Sequence, residues 1–219
     1  MEPLRVPAIE IVDEDGAVRA RLGVDDDGAV ALDLADVDGM VRATVRVDPA
    51  GSASVKLADR AGSWRATLGA WLDGTSGLDL WDSERRQRVS LREDADGPNG
   101  VAVWDPMGHL RALLAAGPAG ARECSVEFWD ADGAYRTGVG AWPDGGTGME
   151  LLDERGTLRG RVGQRAEGVA TLELHAADGG FRAAMGEFPD GTGRLTLWDG
   201  AGRPVTGEVD TTPPEGHAS

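Results

Sequence analysis

An all-β fold of tandem hairpins is what this sequence predicts, on three observations. One motif, Asp-x-x-Gly-x-x-Arg, recurs from end to end. Glycine-bearing turn signals fall between its copies, and the residues between turns alternate apolar and polar, as in Leu78-Asp79-Leu80-Trp81-Asp82. A period of two is the pattern of a strand with one apolar face, and turn residues at regular intervals mark hairpins. The motif opens at Asp13, Asp36, Asp59, Asp82, Asp105, Asp130, Asp153 and Asp199, with Ala176 at the eighth of nine copies. Successive copies lie 23 residues apart, except for one step of 25 between Asp105 and Asp130. Such regularity predicts nine 23-residue β-hairpin repeats.

Within a repeat, the first strand is apolar two and four residues before the Asp, as in Ile9 and Ile11, Leu32 and Leu34, or Leu78 and Leu80. The Asp-x-x-Gly turn follows. Its Asp suits the first position of a type I turn, and its Gly accepts the left-handed conformation that completes the hairpin. The fourth copy has Arg85 where that glycine belongs, so its turn must either differ or carry strain. The second strand is apolar five and nine residues after the Asp, as in Val18 and Leu22 or Trp64 and Leu68, with a small residue at seven. This face is expected to be core. A second turn, usually ending in Asp-Gly, closes the repeat at Gly28, Gly51, Gly74, Gly97, Gly120, Gly145, Gly168 and Gly191.

The opposite face carries the motif Arg and, three residues before the Asp, an acidic residue in six copies: Glu10, Asp33, Asp79, Glu127, Glu150 and Glu173. A register with Leu80 opposite Gln87 would pair Asp79 with Arg88, Glu10 with Arg19 and Glu150 with Arg159 across the hairpin. Exposed pairs of this kind contribute at most about 1 kcal/mol each, so their expected role is to fix register and keep the face soluble.

Composition narrows the function. Of 219 residues, 22 are Lys or Arg and 38 are Asp or Glu, a net charge of −16 that repels phosphate backbones. Nucleic acid is therefore not an expected partner, and no apolar run is long enough for a transmembrane helix. The 33 glycines follow no collagen period. With no secretory leader at Met1 and a single cysteine, Cys124, that cannot form an internal disulfide, the expected compartment is the cytoplasm. Cys124 lies in an alternating strand and is read as a buried structural thiol.

Catalytic patterns are missing. His109, His175 and His217 show no metal-ligand spacing, and there is neither a phosphate loop nor a nucleophile elbow. Asp25-Asp26-Asp27-Gly28, Asp36-Val37-Asp38-Gly39 and Asp130-Ala131-Asp132-Gly133 gather oxygen ligands, but hairpin turns demand the same residues and the twelve-residue calcium loop is incomplete. No enzyme, metal or cofactor is expected.

Nine hairpins cannot each bury an apolar face alone, so residues 4–209 are expected to form one domain, followed by a disordered tail, 210–219. Pairing the first strand, Arg5 to Val12, with the last, Arg203 to Val209, would remove two exposed edges. The expected arrangement is thus closed, radial and barrel-like, around a narrow apolar centre. The segment Leu110 to Cys124 breaks the repeat with two extra residues, and is read either as a tolerated loop insertion or as a site, seam or oligomer contact.

The tandem pattern Leu-x-Asp-x-x-Gly-x-x-Arg-Ala-x-Leu-Gly, as in Leu57 to Gly69, resembles the bacterial hairpin-repeat proteins of the β-flower type over about residues 4 to 209. The resemblance implies a shallow radial barrel, distantly similar in shape to Tubby-type lipid-binding domains, and brings no catalytic residues. Arg85, Ala176 and, in the ninth copy, Val205 in place of Arg depart from the pattern.

Candidate binding residues are the tryptophans that precede the motif Asp, Trp81, Trp104, Trp129 and Trp198, with motif arginines such as Arg111 and Arg136. They read either as a second apolar layer or as an aromatic and Arg ring that binds a partner. Trp71, Trp142 and Phe188 share a place before their Asp-Gly loops, suited to plugging one end. The expected function is a non-enzymatic repeat scaffold or binding module that presents a surface or apolar centre to a protein or small hydrophobic ligand. The alternative is a lipid or membrane-surface module, although −16 opposes anionic headgroups.

Overall fold

The computed structural model describes residues 6–94, 99–117, 123–142, 144–165, 168–187 and 192–205, which form antiparallel strands and no helix. Two compact units divide the chain, Met1–Gly108 and His109–Ser219. The first contains β1 (Ala8–Val12), β2 (Val18–Val24), β3 (Val30–Ala35), β4 (Val41–Val47), β5 (Ala53–Ala58), β6 (Trp64–Ala70), β7 (Ser76–Trp81), β8 (Gln87–Glu93) and β9 (Asn99–Trp104). The second contains β10 (Leu110–Ala116), β11 (Cys124–Trp129), β12 (Tyr135–Ala141), β13 (Thr147–Leu152), β14 (Leu158–Gln164), β15 (Ala170–His175), β16 (Phe181–Glu187) and β17 (Gly193–Leu197). Within each unit every strand pairs with the next in sequence, an antiparallel meander. The tail 210–219 and Phe188 lie outside the described residues.

Closure of the ring through its terminal strands is not supported. β1 pairs with β2, and the described part of the last strand folds back on β17, where Trp198 bridges Pro204 and Val205 N donates to Leu197 O at 2.9 Å. The short turn at Asp199 makes this return the nearest partner, so the C-terminal strand satisfies its backbone locally.

Both turn families share one geometry. In the motif turn Asp13 N donates to Ala17 O and Gly16 N donates to Asp13 O, each at 3.0 Å, while Asp13 Oδ1 accepts from the amides of Asp15 and Ala17. The second turn repeats the backbone pattern with Asp25, Asp48, Trp71, Trp142 or Arg165 in the first position. Gly occupies the left-handed fourth position nearly everywhere. Arg85 resolves the fourth copy in favour of strain, because the turn keeps its form with Arg85 at φ 62°.

The register differs from the expected one, and a β-bulge explains it. Leu80 lies opposite Val89 and Asp79 opposite Ser90, while Glu10 faces Arg21 and Glu150 faces Arg161. The pairings of Asp79 with Arg88, Glu10 with Arg19 and Glu150 with Arg159 are therefore corrected. The shift falls between Ile11 and Val12, Leu34 and Ala35, Leu57 and Ala58, Leu80 and Trp81, and likewise in β11, β13 and β15. In each case the extra residue is the motif Arg, which opposes no residue of its own.

One extra residue reverses the alternation. The residues five and nine after the Asp, read from sequence as one face, lie on opposite faces, with Trp64 opposite Ala58 and Leu68 opposite Val55. The apolar rows consequently lie two and four residues before the Asp and seven and nine after it. No large side chain among the described residues is fully buried, and the buried hydrophobic residues are Ala29 and Ala31. Instead Ile11 is 63% exposed, whereas Asp79 and Glu173 are 4% and 3% exposed. The face expected to be core is thus exposed, and the face expected to be solvated is the more buried one. Arg, Trp and Tyr side chains lie across the polar face and cover its short acidic residues, as long amphipathic side chains can.

Candidate functional site

The motif Arg and Asp are committed to each other and to the next repeat. Arg42 Nη1 lies 3.1 Å from Asp36 Oδ2, Arg65 Nη1 3.3 Å from Asp59 Oδ2, and Arg136 Nε 2.6 Å from Asp130 Oδ2. On its other side the guanidinium reaches the carbonyl just before the next motif Asp. Arg42 Nε donates to Ala58 O at 3.0 Å, Arg65 Nε to Trp81 O at 2.8 Å, Arg88 Nε to Trp104 O at 2.9 Å and Arg111 Nε to Trp129 O at 3.1 Å. Arg136 departs from this, donating from Nη1 to the carbonyl of the motif Asp153 itself. The motif is therefore a staple from one hairpin to the next, and the arginines meet these tryptophans through the backbone.

These contacts set the Asp ionisation. The Asp13, Asp59, Asp82 and Asp130 carboxyls are held below the usual carboxylate range, chiefly by the backbone amide four residues on, which donates to the charged form. At Asp36 and Asp153 desolvation opposes the shift, but the amides of the turn and the motif Arg prevail.

Aromatic side chains gather on the polar face at the motif-turn end. Trp129 meets Tyr135 edge-on with ring centroids 5.8 Å apart, and a ladder of His175, Phe181 and Trp198 has centroid separations of 4.5 and 5.4 Å. Trp129 thus packs across its own hairpin and Trp198 against Phe181 of the neighbouring strand. The bulge brings these rings together, since it puts the fifth residue after the Asp on the same face as the residue before it.

Trp81, Trp104, Trp129 and Trp198 stand at the motif-turn ends of their strands, while Trp71 and Trp142 begin second turns at the other ends. Strands of six or seven residues separate the ends by about 20 Å, so within a unit these tryptophans do not converge. Trp71 instead packs under the Arg92 guanidinium, 5.2 Å from the ring centroid, and Arg92 Nη2 pairs with Asp79 Oδ2 at 2.6 Å. Gln87 Nε2 donates to Asp79 Oδ1 at 2.6 Å. Arg92 lies outside the motif and was not singled out from sequence; its place ten residues after the Asp, shared with Arg46, is the signal that finds it.

Every acidic residue of the polar face with a described side-chain bond is similarly engaged. Thr44 Oγ1 donates to Asp33 at 2.6 Å, Ser125 Oγ to Glu127 at 2.6 Å, and Tyr135 Oη to Glu150 at 3.1 Å. Arg165 Nη2 pairs with Glu173 at 2.5 Å; burial opposes ionisation of Glu173, yet Arg165 and Thr171 hold its pKa below the usual value. Burial first, then the Glu150 charge, pushes the Tyr135 phenol up. A shallow groove in the first unit is lined by Asp33, Thr44, Arg46, Lys56 and Trp64, with Lys56 Nζ 5.8 Å from the Trp64 ring centroid.

Among the described residues no three His, Cys, Asp or Glu side chains converge to hold a metal, and the acidic turns spend their oxygens on backbone amides and arginines. Cys124 is exposed on the apolar face, which corrects the buried thiol. Gly117 N donates to Glu123 O at 2.8 Å at the base of the irregular loop, whose residues 118–122 lie outside the described residues.

The apolar face is the other candidate surface. Among the described residues, positions two and four before the Asp and seven and nine after it carry no charged residue, while Glu93 and Glu187 end β8 and β16 on the same face. Large side chains stand directly opposite small ones: Ile11 opposite Ala20, Leu34 and Leu57 both opposite Ala43, Leu57 and Leu80 both opposite Ala66, Leu151 opposite Gly160 and Leu174 opposite Ala183. Compared with known proteins, the chain matches no family model and no curated sequence. No helix among the described residues is long and apolar enough to cross a membrane.

Proposed function

We propose that this protein is a non-enzymatic repeat scaffold and binding module whose apolar sheet face takes up a partner surface or a small hydrophobic ligand. One observation carries the reading: the uncharged rows of the apolar face remain exposed in both units, from Ile9 at 48% and Leu57 at 49% to Val162 at 47% and Leu174 at 49%. Contiguous apolar surface of this extent is a hallmark of interaction sites. The polar face supports the same reading from the other side, since its carboxylates are engaged by arginines, hydroxyls and turn amides. A scaffold of the β-flower kind, working in the cytoplasm, fits the repeat from Leu57 to Gly69 and the single cysteine.

The alternative, a lipid or membrane-surface module, is weaker on charge. The net charge of −16 disfavours an anionic surface.

Titration with an environment-sensitive apolar dye, beside native mass spectrometry of the gently purified protein, tests the proposal. Saturable dye uptake, a retained apolar adduct or self-association is expected. A bare monomer that takes up no dye would sink it.

A further inference from the structure

The geometry points to a binding site for a small apolar α-amino acid in the groove over β3 to β6, on the polar face of the first unit. The site lies on the opposite face from the apolar rows and stands or falls independently of them.

Charge gives the first argument. Lys56 is the only lysine in the sequence, against 21 arginines. It occupies the place three residues before the motif Asp that is acidic in six other repeats, and so puts a cation into a row of carboxylates. The arginines of this face bridge carboxylates and carbonyls with their planar forks, the role to which a guanidinium is suited. Lys56 bridges nothing. Among the described residues its Nζ has the Trp64 ring, 5.8 Å to the centroid, and neither a hydrogen bond nor an ion pair. Asp33 is its counterpart: Thr44 Oγ1 donates to Oδ1 at 2.6 Å, and among the described residues no cation pairs with the carboxylate. Arg21, which lies opposite Asp33, turns to Asp25 instead at 3.0 Å.

Position gives the second. Asp33, Thr44 and Lys56 stand opposite one another on β3, β4 and β5, so two strand spacings of about 4.8 Å each separate the unmatched anion from the unmatched cation. Opposite charges held on separate strands, with a hydroxyl between them, match a molecule that carries an ammonium and a carboxylate on one carbon. Asp33 receives the ammonium and Lys56 the carboxylate, each in a charge-assisted hydrogen bond. A simple anion would meet the like charge of Asp33, and a simple cation that of Lys56, so only the dipolar ligand satisfies both.

The groove also has a place for an apolar side chain. Its walls at the motif-turn end are Met40, Val41 and Trp64, which are 43%, 37% and 39% exposed. At the other end Arg46 is spent on Asp25 and Asp27 and offers no further charge. The volume of about 450 Å³ is that of a small-molecule site.

The single lysine supplies the probe. Protein grown with isotope-labelled lysine gives one backbone amide signal, that of Lys56, to be followed while the full chain is titrated with L-phenylalanine, with hydrocinnamate, which lacks the ammonium, and with phenethylamine, which lacks the carboxylate. A saturable shift is expected with L-phenylalanine, and binding weaker by about tenfold or more with either analogue, the loss of one charged hydrogen bond. Asp33→Asn should weaken L-phenylalanine by about the same factor and leave hydrocinnamate no weaker. Lys56→Gln, followed by saturation transfer to the ligand, should lose L-phenylalanine with circular dichroism unchanged. Equal affinity for L-phenylalanine and hydrocinnamate would overturn the dipolar ligand, and the absence of a saturable shift at millimolar L-phenylalanine would overturn the site. If either variant fails to fold, the comparison of the three ligands on the unaltered chain still decides.

Discussion

The two faces of these hairpins hold their side chains by opposite means. On the polar face Asp79 is 4% exposed, covered by Gln87, Arg92 and the neighbouring Trp71; one residue on, Leu80 is 36% exposed on the apolar face with strand neighbours alone. Burial is ordinarily the mark of apolar residues. In these units it follows reach: long guanidinium and indole groups can lie down over short carboxylates, whereas Leu, Ile and Val stand upright and need a second layer. The comparison teaches that a single layer of hairpins can be internally tied on its polar side and still be unfinished on its apolar side.

Acid should break the polar side most completely, because it acts on many turns together. The motif Asp carboxyls have folded pKa values below their unfolded ones, so their stabilisation is fully present above the unfolded value of about 4 and is lost as pH falls through the lowered folded values. Circular dichroism between pH 7 and 2 should show the strand signal lost below about pH 4. Retention of full stability at pH 2 would mean that the turn aspartates contribute nothing.

Single substitutions rank below that. Gly163 stands opposite Gly148 on the polar face, and a Cβ there would collide with the Thr147 carbonyl; Gly163→Val should cost about 3 kcal/mol, at the upper end for an overpacked site, read by urea unfolding. Arg92→Ala leaves the buried Asp79 carboxylate with Gln87 alone and should cost about 2 kcal/mol. On the apolar face, Leu57→Ala should cost about 1 kcal/mol, because Leu57 is 49% exposed, and the gap from Arg92→Ala sharpens the contrast between faces. The smallest effect has the opposite sign: Arg85→Gly relieves a left-handed residue and should stabilise by about 1 kcal/mol.

Much of this was legible along the chain. The Asp-x-x-Gly spacing located the motif turns, and the apolar alternation located the strands, because both signals are local and depend on a few neighbouring dihedrals. The cross-strand register was not legible, since the bulge at each motif Arg leaves no mark in the pattern except that Trp64, Tyr135 and Phe181 share a position facing the residue before the Asp. The site residues show the same division. Trp129 and Trp198 could be placed on one face in advance, whereas the Trp71, Arg92 and Asp79 cluster joins a turn to two strands and forms only when the hairpins lie side by side.

By itself the sequence determined that the chain makes repeated antiparallel hairpins, where their turns fall and which strand positions are apolar, because turn chemistry and two-residue periodicity act over a few residues. Only the tertiary structure decided which face is buried, that each motif Arg staples its hairpin to the next, and that the C-terminal segment returns to β17. Those outcomes depend on the reach of long side chains and on backbone pairing between strands, neither of which a linear pattern encodes.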